Sequence, residues 1–373
     1  MFKKKIIALF ASSMILPLAS LSCTNVPVKA TDGSIVVART LEFGPAINSN
    51  VMSSPRGRVI QTSNDNNINT MNWTSKYGYL YADYFNTGYS VDGMNEKGLS
   101  FGYLYLPSID TQYMNVAKGE EKMAVPYTQF GDWILGNFSS VAEVKAALKN
   151  VYIYSKNLTV NGKATVFPLH AVIIDKSGKS IIIEFIQGKL NVYDSNDGIM
   201  TNSPQYPWQV VNLRNYLNLS PYSPERVNYG DITYEVTGQG SGMNGLPGDY
   251  SPPSRFVKMS ILQKTAMPVD NANGALTLAQ HIINNVFIPY GAARGVKGTP
   301  DTYDNLDKTQ WVVFKDITHN KFYFKSYGNP TIEEIDMNKV DLSKGAPQLS
   351  MPMAQDTQYI PDVTDKFLLS KGR

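Results

Sequence analysis

Cys23 is the only cysteine in a chain of 373 residues, and it directly follows a stretch with the features of an export signal. Exported proteins use cysteine mostly in disulfide pairs, so a single cysteine needs another explanation. The residues alone leave three open: the lipid-modified cysteine of a bacterial lipoprotein, an incidental thiol, and an N-terminal nucleophile. In the third case, the α-amine freed by cleavage acts as the base for its own thiol.

The export signal is predicted from the residue types of the first 22 positions. Residues 3–5 are lysines, residues 6–18 form a short apolar run, and residues 20–22 place two serines around a leucine before the cleavage point. The apolar run is too short for a comfortable transmembrane helix, and no comparable run follows it. We therefore expect a signal peptide at residues 1–22, export to the periplasm with secretion as the alternative, and no stable membrane insertion after signal removal.

Charge balance and histidine spacing exclude several classes of function. The chain has 34 basic and 31 acidic residues, and without the three lysines of the signal both counts are 31, so nothing indicates a nucleic-acid partner. His170, His281 and His319 are far apart and lack metal-ligand spacing, which disfavours zinc and iron–sulfur sites. The sequence contains no phosphate-binding loop and no GxSxG motif. We expect neither a metal nor a cofactor.

Residues 24–43 are predicted to form the β-hairpin that positions the cysteine. Two β-prone runs flank Asp32-Gly33, a dipeptide that favours a two-residue type I′ turn. That turn would place Cys23 directly opposite Glu42, with both side chains on one face of the hairpin. A carboxylate would then lie beside the mature α-amine.

The same register would direct Arg39 to the other face, where it pairs with Val26. Its guanidinium would reach the thiol only past a β-bulge or by curling round the strand end. Without the cysteine, Arg39 and Glu42 are explained equally well as solvated strand residues, so a chemical role for either depends on Cys23.

The remaining periodicity predicts strands and helices in blocks, with one helix opened by a capping box at Ser140 and Glu143. Strands are predicted at 77–84, 99–106, three times within 169–195 and as a hairpin at 310–327; helices at 142–151, 208–219, 255–265 and 276–286; a turn at Asp92-Gly93; and loops near 47–72 and 225–254. This order favours a single α+β domain at residues 23–373.

Five short segments, in order along the chain, carry a resemblance that covers the whole mature sequence. They are the N-terminal cysteine with ARTLEF at 38–43, GMNEKGLSFGYLYLP at 93–107, MTNSPQYPWQ at 200–209, GLPGDYSPPSRFV at 245–257, and QWVVFKD with FYF at 310–324. Together they resemble the choloylglycine hydrolase family of bile salt hydrolases and penicillin V acylases, within the N-terminal nucleophile hydrolases. The resemblance implies a four-layer αββα sandwich.

The family's roles carry over onto individual positions. Cys23 matches the nucleophile, Arg39 the arginine of the ART motif, Asn202 the oxyanion-hole asparagine, and Arg255 a second active-site arginine. Glu42 stands where the family most often has aspartate, which keeps a carboxylate on a longer arm. The resemblance thus implies hydrolysis of a linear amide through a Cys23 thioester, with signal removal as the activating step.

Tyr105 carries the expectation about substrate. Bile salt hydrolases usually have asparagine at this position and penicillin V acylases tyrosine, so the resemblance favours penicillin V over other small N-acyl amides. Conjugated bile salts and N-acyl homoserine lactones are the alternatives within the enzyme class. A non-catalytic lipoprotein or binding module is the alternative from another class. The family often forms homotetramers, which makes a tetramer possible here.

Overall fold

The computed structural model describes residues 22–107, 109–160, 162–298, 306–354 and 358–369. The signal peptide expected at residues 1–22 lies outside this part of the chain except for Ser22, which begins the first strand. Among the described residues, the buried hydrophobic side chains form one connected core around two large β-sheets.

Strands are numbered in chain order, and so are helices. The strands are β1 (Ser22–Lys29), β2 (Ile35–Glu42), β3 (Asn50–Ser54), β4 (Val59–Ile60), β5 (Trp73–Thr74), β6 (Tyr79–Ala82), β7 (Asp92–Asn95), β8 (Ser100–Tyr105), β9 (Ala124–Pro126), β10 (Tyr152–Tyr154), β11 (Leu158–Val160), β12 (Lys163–Thr165), β13 (Leu169–Ile174), β14 (Ser180–Ile186), β15 (Lys189–Ser195), β16 (Val227–Tyr229), β17 (Ile232–Tyr234), β18 (Ala293–Arg294), β19 (Leu306–Asp307), β20 (Thr309–Asp316), β21 (Lys321–Ser326), β22 (Glu333–Asp336) and β23 (Ser350–Pro352). The α-helices are α1 (Phe130–Asn137), α2 (Val141–Ala147), α3 (Tyr206–Asn212), α4 (Pro252–Thr265), α5 (Ala272–Ile283) and α6 (Thr364–Leu368).

Two antiparallel sheets stack face to face between helices. The first sheet has the strand order β1-β2-β20-β21-β22, and the second has the order β15-β14-β13-β8-β7-β6-β3-β23. Helix α5 packs against β1, β2 and β20, α4 packs against β1, and α1 packs against β7 and β8. Both faces of each sheet are therefore covered, which explains why β2, β13 and β14 read as nearly continuous apolar runs. The four-layer αββα sandwich is confirmed.

Most elements lie where the periodicity placed them. The predicted capping box opens α2, since the Ser140 hydroxyl accepts from the backbone N–H of Glu143 at 3.3 Å. The expected loop near 47–72 is wrong in part, because residues 50–54 form β3 and pair with β6 in the second sheet. The expected turn at Asp92-Gly93 is also wrong, because both residues begin strand β7 and are buried.

The hairpin register differs by one residue from the prediction. The backbone N–H of Ala30 donates to the carbonyl of Ser34 at 2.8 Å, and that of Gly33 donates to the carbonyl of Ala30 at 3.1 Å. Gly33 has φ +92°, so the loop has three residues and ends in a left-handed glycine, whereas a type I′ turn has two. This extra residue places Cys23 opposite Leu41.

A one-residue shift exchanges the two faces of a strand, and the consequence here is large. Arg39 now pairs with Asn25, on the same face as Cys23 and diagonal to it, so no bulge is needed to bring the two together. Glu42 pairs with Ser22 and shares its face with Thr40. The expected direct pairing of Cys23 with Glu42 is therefore wrong.

Candidate active site

Cys23 lies near the start of β1, at the edge of the first sheet, and its side chain is completely buried. Its Sγ is 3.5 Å from Nη2 of Arg39, and its backbone nitrogen donates to Oδ1 of Asn202 at 2.9 Å. Burial raises the pKa of the thiol, with a smaller contribution in the same direction from Glu42, while the guanidinium groups of Arg39 and Arg255 oppose the rise.

Arg39 projects from β2 into the space between the two sheets. Its Nη2 donates to the backbone carbonyl of Tyr103 at 2.6 Å, and its guanidinium carbon lies 4.6 Å from the centre of the Trp311 ring. The carbonyl comes from the second sheet and the indole from the first, so Arg39 is held by both. This arrangement directs a positive charge at the sulfur.

Arg255 approaches Cys23 from the helical layer. Pro252 and Pro253 open α4, and Arg255 lies in its first turn, from which the side chain reaches β1. Its Nη1 donates to the Cys23 carbonyl and to the Thr24 hydroxyl, both at 2.6 Å. The two arginines therefore contact Cys23 from different layers of the molecule.

Asn202 joins these groups. Its Oδ1 accepts from Nη2 of Arg255 at 2.6 Å as well as from the Cys23 nitrogen, and its Nδ2 donates to the carbonyl of Tyr105 at 2.7 Å. Because Oδ1 faces two donors, the orientation of the amide is fixed by its surroundings. The second hydrogen on Nδ2 stays available to a further acceptor.

The buried side chains of His170 and Glu184 contact the backbone on either side of Asn202. His170 Nε2 is 3.0 Å from the carbonyl of Thr201, and its Nδ1 is 3.2 Å from Oε1 of Glu184. The same carboxylate accepts from the backbone N–H of Tyr206 at 2.8 Å, at the start of α3. His170 is thus placed behind Asn202, in contact with the backbone of Thr201.

Glu42 lies at the end of β2, where a bulge between Leu41 and Glu42 alters the pairing with β20. Its Oε1 accepts from the Thr309 hydroxyl at 3.0 Å, and its Oε2 is buried without a hydrogen-bond partner in the described part of the chain. Burial raises the pKa of Glu42 to about 7, against the opposing effects of Arg255 and Arg39. The carboxyl is therefore close to a balance between its charged and neutral forms near neutral pH.

Tyr105 lies at the end of β8 and lines a pocket that also contains Cys23. The free volume of the pocket is about 20 Å³, and Arg39 contributes its main polar group besides the thiol. Its aromatic lining comes from Tyr84, Phe85, Tyr103, Tyr105 and Phe167. Phe85 and Phe167 stack with ring centres 5.5 Å apart. All six residues predicted for the site thus lie at or around Cys23, although Glu42 lies on a different face from the one expected.

Sequence reasoning missed two charged residues behind Arg39. Nε of Arg39 is 3.8 Å from Oδ2 of Asp92, and Nζ of Lys315 is 2.6 Å from Oδ1 of the same carboxylate. Asp92 was missed because the Asp92-Gly93 dipeptide predicts a turn. Lys315 interrupts the apolar pattern of a strand that is buried on both faces, and that interruption was the available signal.

The described residues contain neither a candidate metal site nor a candidate membrane span. No group of three or more His, Cys, Asp or Glu side chains there could hold a metal ion. None of the helices in this part of the chain is long and apolar enough to cross a membrane.

Comparison with known proteins places the chain in a family. The model of the linear amide C–N hydrolases, choloylglycine hydrolase family, matches residues 23–359. The bile salt hydrolase/transferase of Clostridium perfringens is 35% identical over 323 residues, covering 86% of this chain and 94% of the relative.

Solved structures support the same family assignment. A variant of the conjugated bile acid hydrolase from Clostridium perfringens has a TM-score of 0.79 at 31% identity, covering 91% of this chain and 99% of that one. Penicillin V acylase from Agrobacterium tumefaciens has a TM-score of 0.70 at 25% identity, covering 90% and 93%. The predicted family is confirmed, and with it the predicted enzyme class. The chain belongs to the choloylglycine hydrolase family and is a hydrolase of linear amides.

Proposed function

We propose that the protein is an exported, periplasmic amidohydrolase that uses Cys23 as an N-terminal nucleophile and prefers penicillin V. In this proposal, a signal peptide ends at Ser22, and its removal frees the α-amine of Cys23 to act as the base. The lipoprotein and binding-module alternatives would leave the groups converging on this thiol without a purpose. The family match that begins at Cys23 supports the same boundary.

The reaction takes place in two halves. In the first, the α-amine takes the thiol proton, sulfur bonds to the amide carbonyl carbon, and the resulting oxyanion accepts the free N–H of Asn202. The carbon–nitrogen bond then breaks, the leaving amine takes a proton from the α-ammonium, and a thioester remains. In the second half, water attacks the thioester with the α-amine again as base, which releases the acid and restores the thiol.

The position of the Cys23 nitrogen suits it to this role. It donates to Oδ1 of Asn202, and Arg255 holds that oxygen from the other side. An amide oxygen can only accept, so it binds an N–H of the amine and leaves the lone pair free for the thiol proton. An α-amine in water has a pKa near 7.7–8, so a base of this type is partly neutral at physiological pH and needs no histidine.

The aromatic pocket beside the sulfur is the observation that carries the choice of substrate. The pocket is lined by five aromatic rings, but its free volume of about 20 Å³ is far below the roughly 150 Å³ that holds benzene, so lining side chains must move to admit a phenoxyacetyl group. Offset or edge-on ring contacts with the pocket wall would stabilise it. The four fused rings of a cholyl group would require a larger displacement of the lining.

Hydrolysis of conjugated bile salts is the second candidate, favoured by the 35% identity to the Clostridium perfringens relative. It requires the pocket to widen more than penicillin V does, because a cholyl group has four fused rings and a phenoxy group has one. Acyl homoserine lactones, with a flexible aliphatic chain, compete for the same apolar wall.

One panel of assays tests the proposal. The protein is purified from the periplasm, the mass of its N-terminus is measured, and kcat/KM is determined for penicillin V, taurocholate and octanoyl homoserine lactone. We expect a free Cys23 and the highest kcat/KM for penicillin V. Cys23→Ser is the matched control, expected to stay folded and to lose most of the activity.

Three results would contradict parts of the proposal separately. A diacylglyceryl mass on Cys23 contradicts the free amine, and wild-type turnover by Cys23→Ser contradicts the nucleophile. Taurocholate turnover equal to or above that of penicillin V overturns the substrate choice while leaving the mechanism in place.

A further inference from the structure

Lys315 is a fully buried lysine in the middle of the first sheet. It lies in β20, paired with Val37 of β2 and Phe322 of β21, and its side chain points into the space between the two sheets. Lysine is almost never buried completely without a partner, because removing an ammonium group from water costs several kcal/mol. The position therefore calls for an explanation beyond packing.

The partner of Lys315 is Asp92, and Asp92 has a second cation on its other side. Nζ of Lys315 donates to Oδ1 of Asp92 at 2.6 Å and to the carbonyl of Phe101 at 3.2 Å. Oδ2 of Asp92 lies 3.8 Å from Nε of Arg39 and accepts no hydrogen bond from the described residues. A carboxylate thus lies between two buried cations, and only one of these cations, Arg39, contacts the thiol.

The charges of Lys315, Asp92 and Arg39 explain why a lysine occupies position 315. Asp92 and Lys315 are neutral together, wherever their shared proton lies, so the charge of Arg39 stays uncompensated. If residue 315 were not a lysine, an ionised Asp92 would instead neutralise Arg39 and weaken its attraction for the sulfur. In a buried, low-dielectric setting such an effect extends beyond direct contacts.

We propose that Lys315 is a positioning residue for the reaction: it occupies Asp92 so that the full positive charge of Arg39 acts on the Cys23 thiol. The inference rests on Cys23 being the nucleophile, as proposed above. The other charged groups that face Cys23 are Arg255 and Glu42. Arg255 acts from helix α4 and Glu42 from the end of β2, and a substitution at Lys315 removes neither.

The test measures the thiol directly, without a substrate. Cys23 of the protein that begins at this residue is alkylated with iodoacetamide between pH 5 and 10, and the midpoint of the rate against pH is determined. Lys315→Met, which removes the charge at similar volume, is expected to raise the midpoint by about half a pH unit or more. Lys315→Arg is the matched control and should keep the wild-type midpoint.

The double variant Asp92→Asn with Lys315→Met separates this role from a structural one. It removes both partner charges, so Arg39 is again uncompensated and the midpoint should return towards that of the wild type. A midpoint that stays unchanged in Lys315→Met, or that is as high in the double variant as in the single one, overturns the proposal.

Folding is monitored by thermal unfolding of every variant. If Lys315→Met does not fold, Asp92→Asn decides the question. That variant leaves two cations and no carboxylate behind the thiol and should lower the midpoint, so an unchanged or raised midpoint contradicts the proposal. Because alkylation needs no turnover, a failure to hydrolyse amides would refute the proposed function without affecting this result.

Discussion

Two buried arginines converge on one cysteine, and they differ in how fully their hydrogen bonds are used. Every nitrogen of the Arg255 guanidinium donates: Nε to the Tyr250 carbonyl at 2.9 Å, Nη1 to β1, and Nη2 to Asn202. In Arg39 only Nη2 donates, while Nε and Nη1 have no hydrogen-bond partner among the described residues. Both side chains are almost completely inaccessible to solvent.

The difference indicates two kinds of role. Arg255 fixes the backbone of Cys23 and the amide of Asn202 and has no donor nitrogen left without a partner, so its main contribution is to hold the site together. Two guanidinium nitrogens of Arg39 have no hydrogen-bond partner among the described residues, while its Nη2 lies 3.5 Å from the sulfur, so its main contribution is charge. Leaving these N–H groups without a hydrogen-bond partner in a buried site costs free energy.

The largest effect is expected from Arg255→Met. This change removes the donors for the Cys23 carbonyl, Thr24 and Asn202, and it leaves Glu42 without its main opposing charge. Breaking a buried charged network in this way costs about 3–5 kcal/mol. Urea unfolding should show that loss in the free energy of unfolding.

Arg39→Met is the matched control for stability, because Asp92 would still be paired with Lys315. It should lose clearly less than Arg255→Met. Equal losses in the two variants would remove the distinction between a structural and an electrostatic arginine.

The second prediction concerns Glu42 and the pH dependence of the free energy of unfolding. Its folded pKa of about 7 lies above the ordinary value of 4.5, so folding favours the protonated form. The resulting cost is absent below pH 4.5, grows as pH rises towards 7, and is constant above that, reaching about 3 kcal/mol. Glu42→Gln has no such cost.

Urea unfolding of wild type and Glu42→Gln at pH 4.5, 6, 7 and 8 measures this effect. The variant should gain relative to the wild type across this range, with most of the gain below pH 7. A difference that is the same at every pH would mean that the carboxyl is already charged throughout, held by Arg255.

Arg39→Met should also lower kcat/KM by about 10–100-fold, an effect of about 1.4–2.7 kcal/mol. The physical reason is the lost charge at the thiol, so the loss should shrink at high pH, where the thiol ionises without help. Measuring kcat/KM from pH 6 to 10 checks this. A loss that is independent of pH would assign Arg39 to substrate binding alone.

The sequence predicted the family and the fold more completely than it predicted the geometry of the site. Five motifs in order are enough to identify the αββα sandwich, because they sample strands from both sheets and the start of α4. The hairpin was wrong by one residue because Asp-Gly fits both a two-residue turn and a three-residue loop ending in a left-handed glycine. Only the pairing of Ala30 with Ser34 separates them, and that single residue decides whether Arg39 or Glu42 faces the sulfur.

Asp92 and Lys315 show a second limit. They lie 223 residues apart in the sequence and meet only because the two sheets stack. A DG pair predicts a turn wherever local sequence is all that is known, and a lone lysine in an apolar strand predicts an edge or a snorkelling side chain. Neither local pattern indicates where in the sequence the partner residue lies.

The smallest effect is expected from a substitution at Tyr105, which changes the shape of the pocket and leaves the charges around Cys23 in place. The backbone carbonyl of Tyr105 accepts from Asn202, whereas its ring lines the pocket, so Tyr105→Asn alters the wall and keeps that hydrogen bond. Loss of the ring removes a stacking surface for a phenoxy group and makes room for a bulkier acyl group. We expect kcat/KM for penicillin V to fall about tenfold more than that for taurocholate, within the 1–3 kcal/mol that reshaping an apolar pocket usually changes. Tyr105→Phe keeps the ring and should leave the ratio of the two values unchanged. If both substrates lose activity equally in Tyr105→Asn, the ring supports the site as a whole, and substrate preference must then be sought in the stacked pair Phe85 and Phe167.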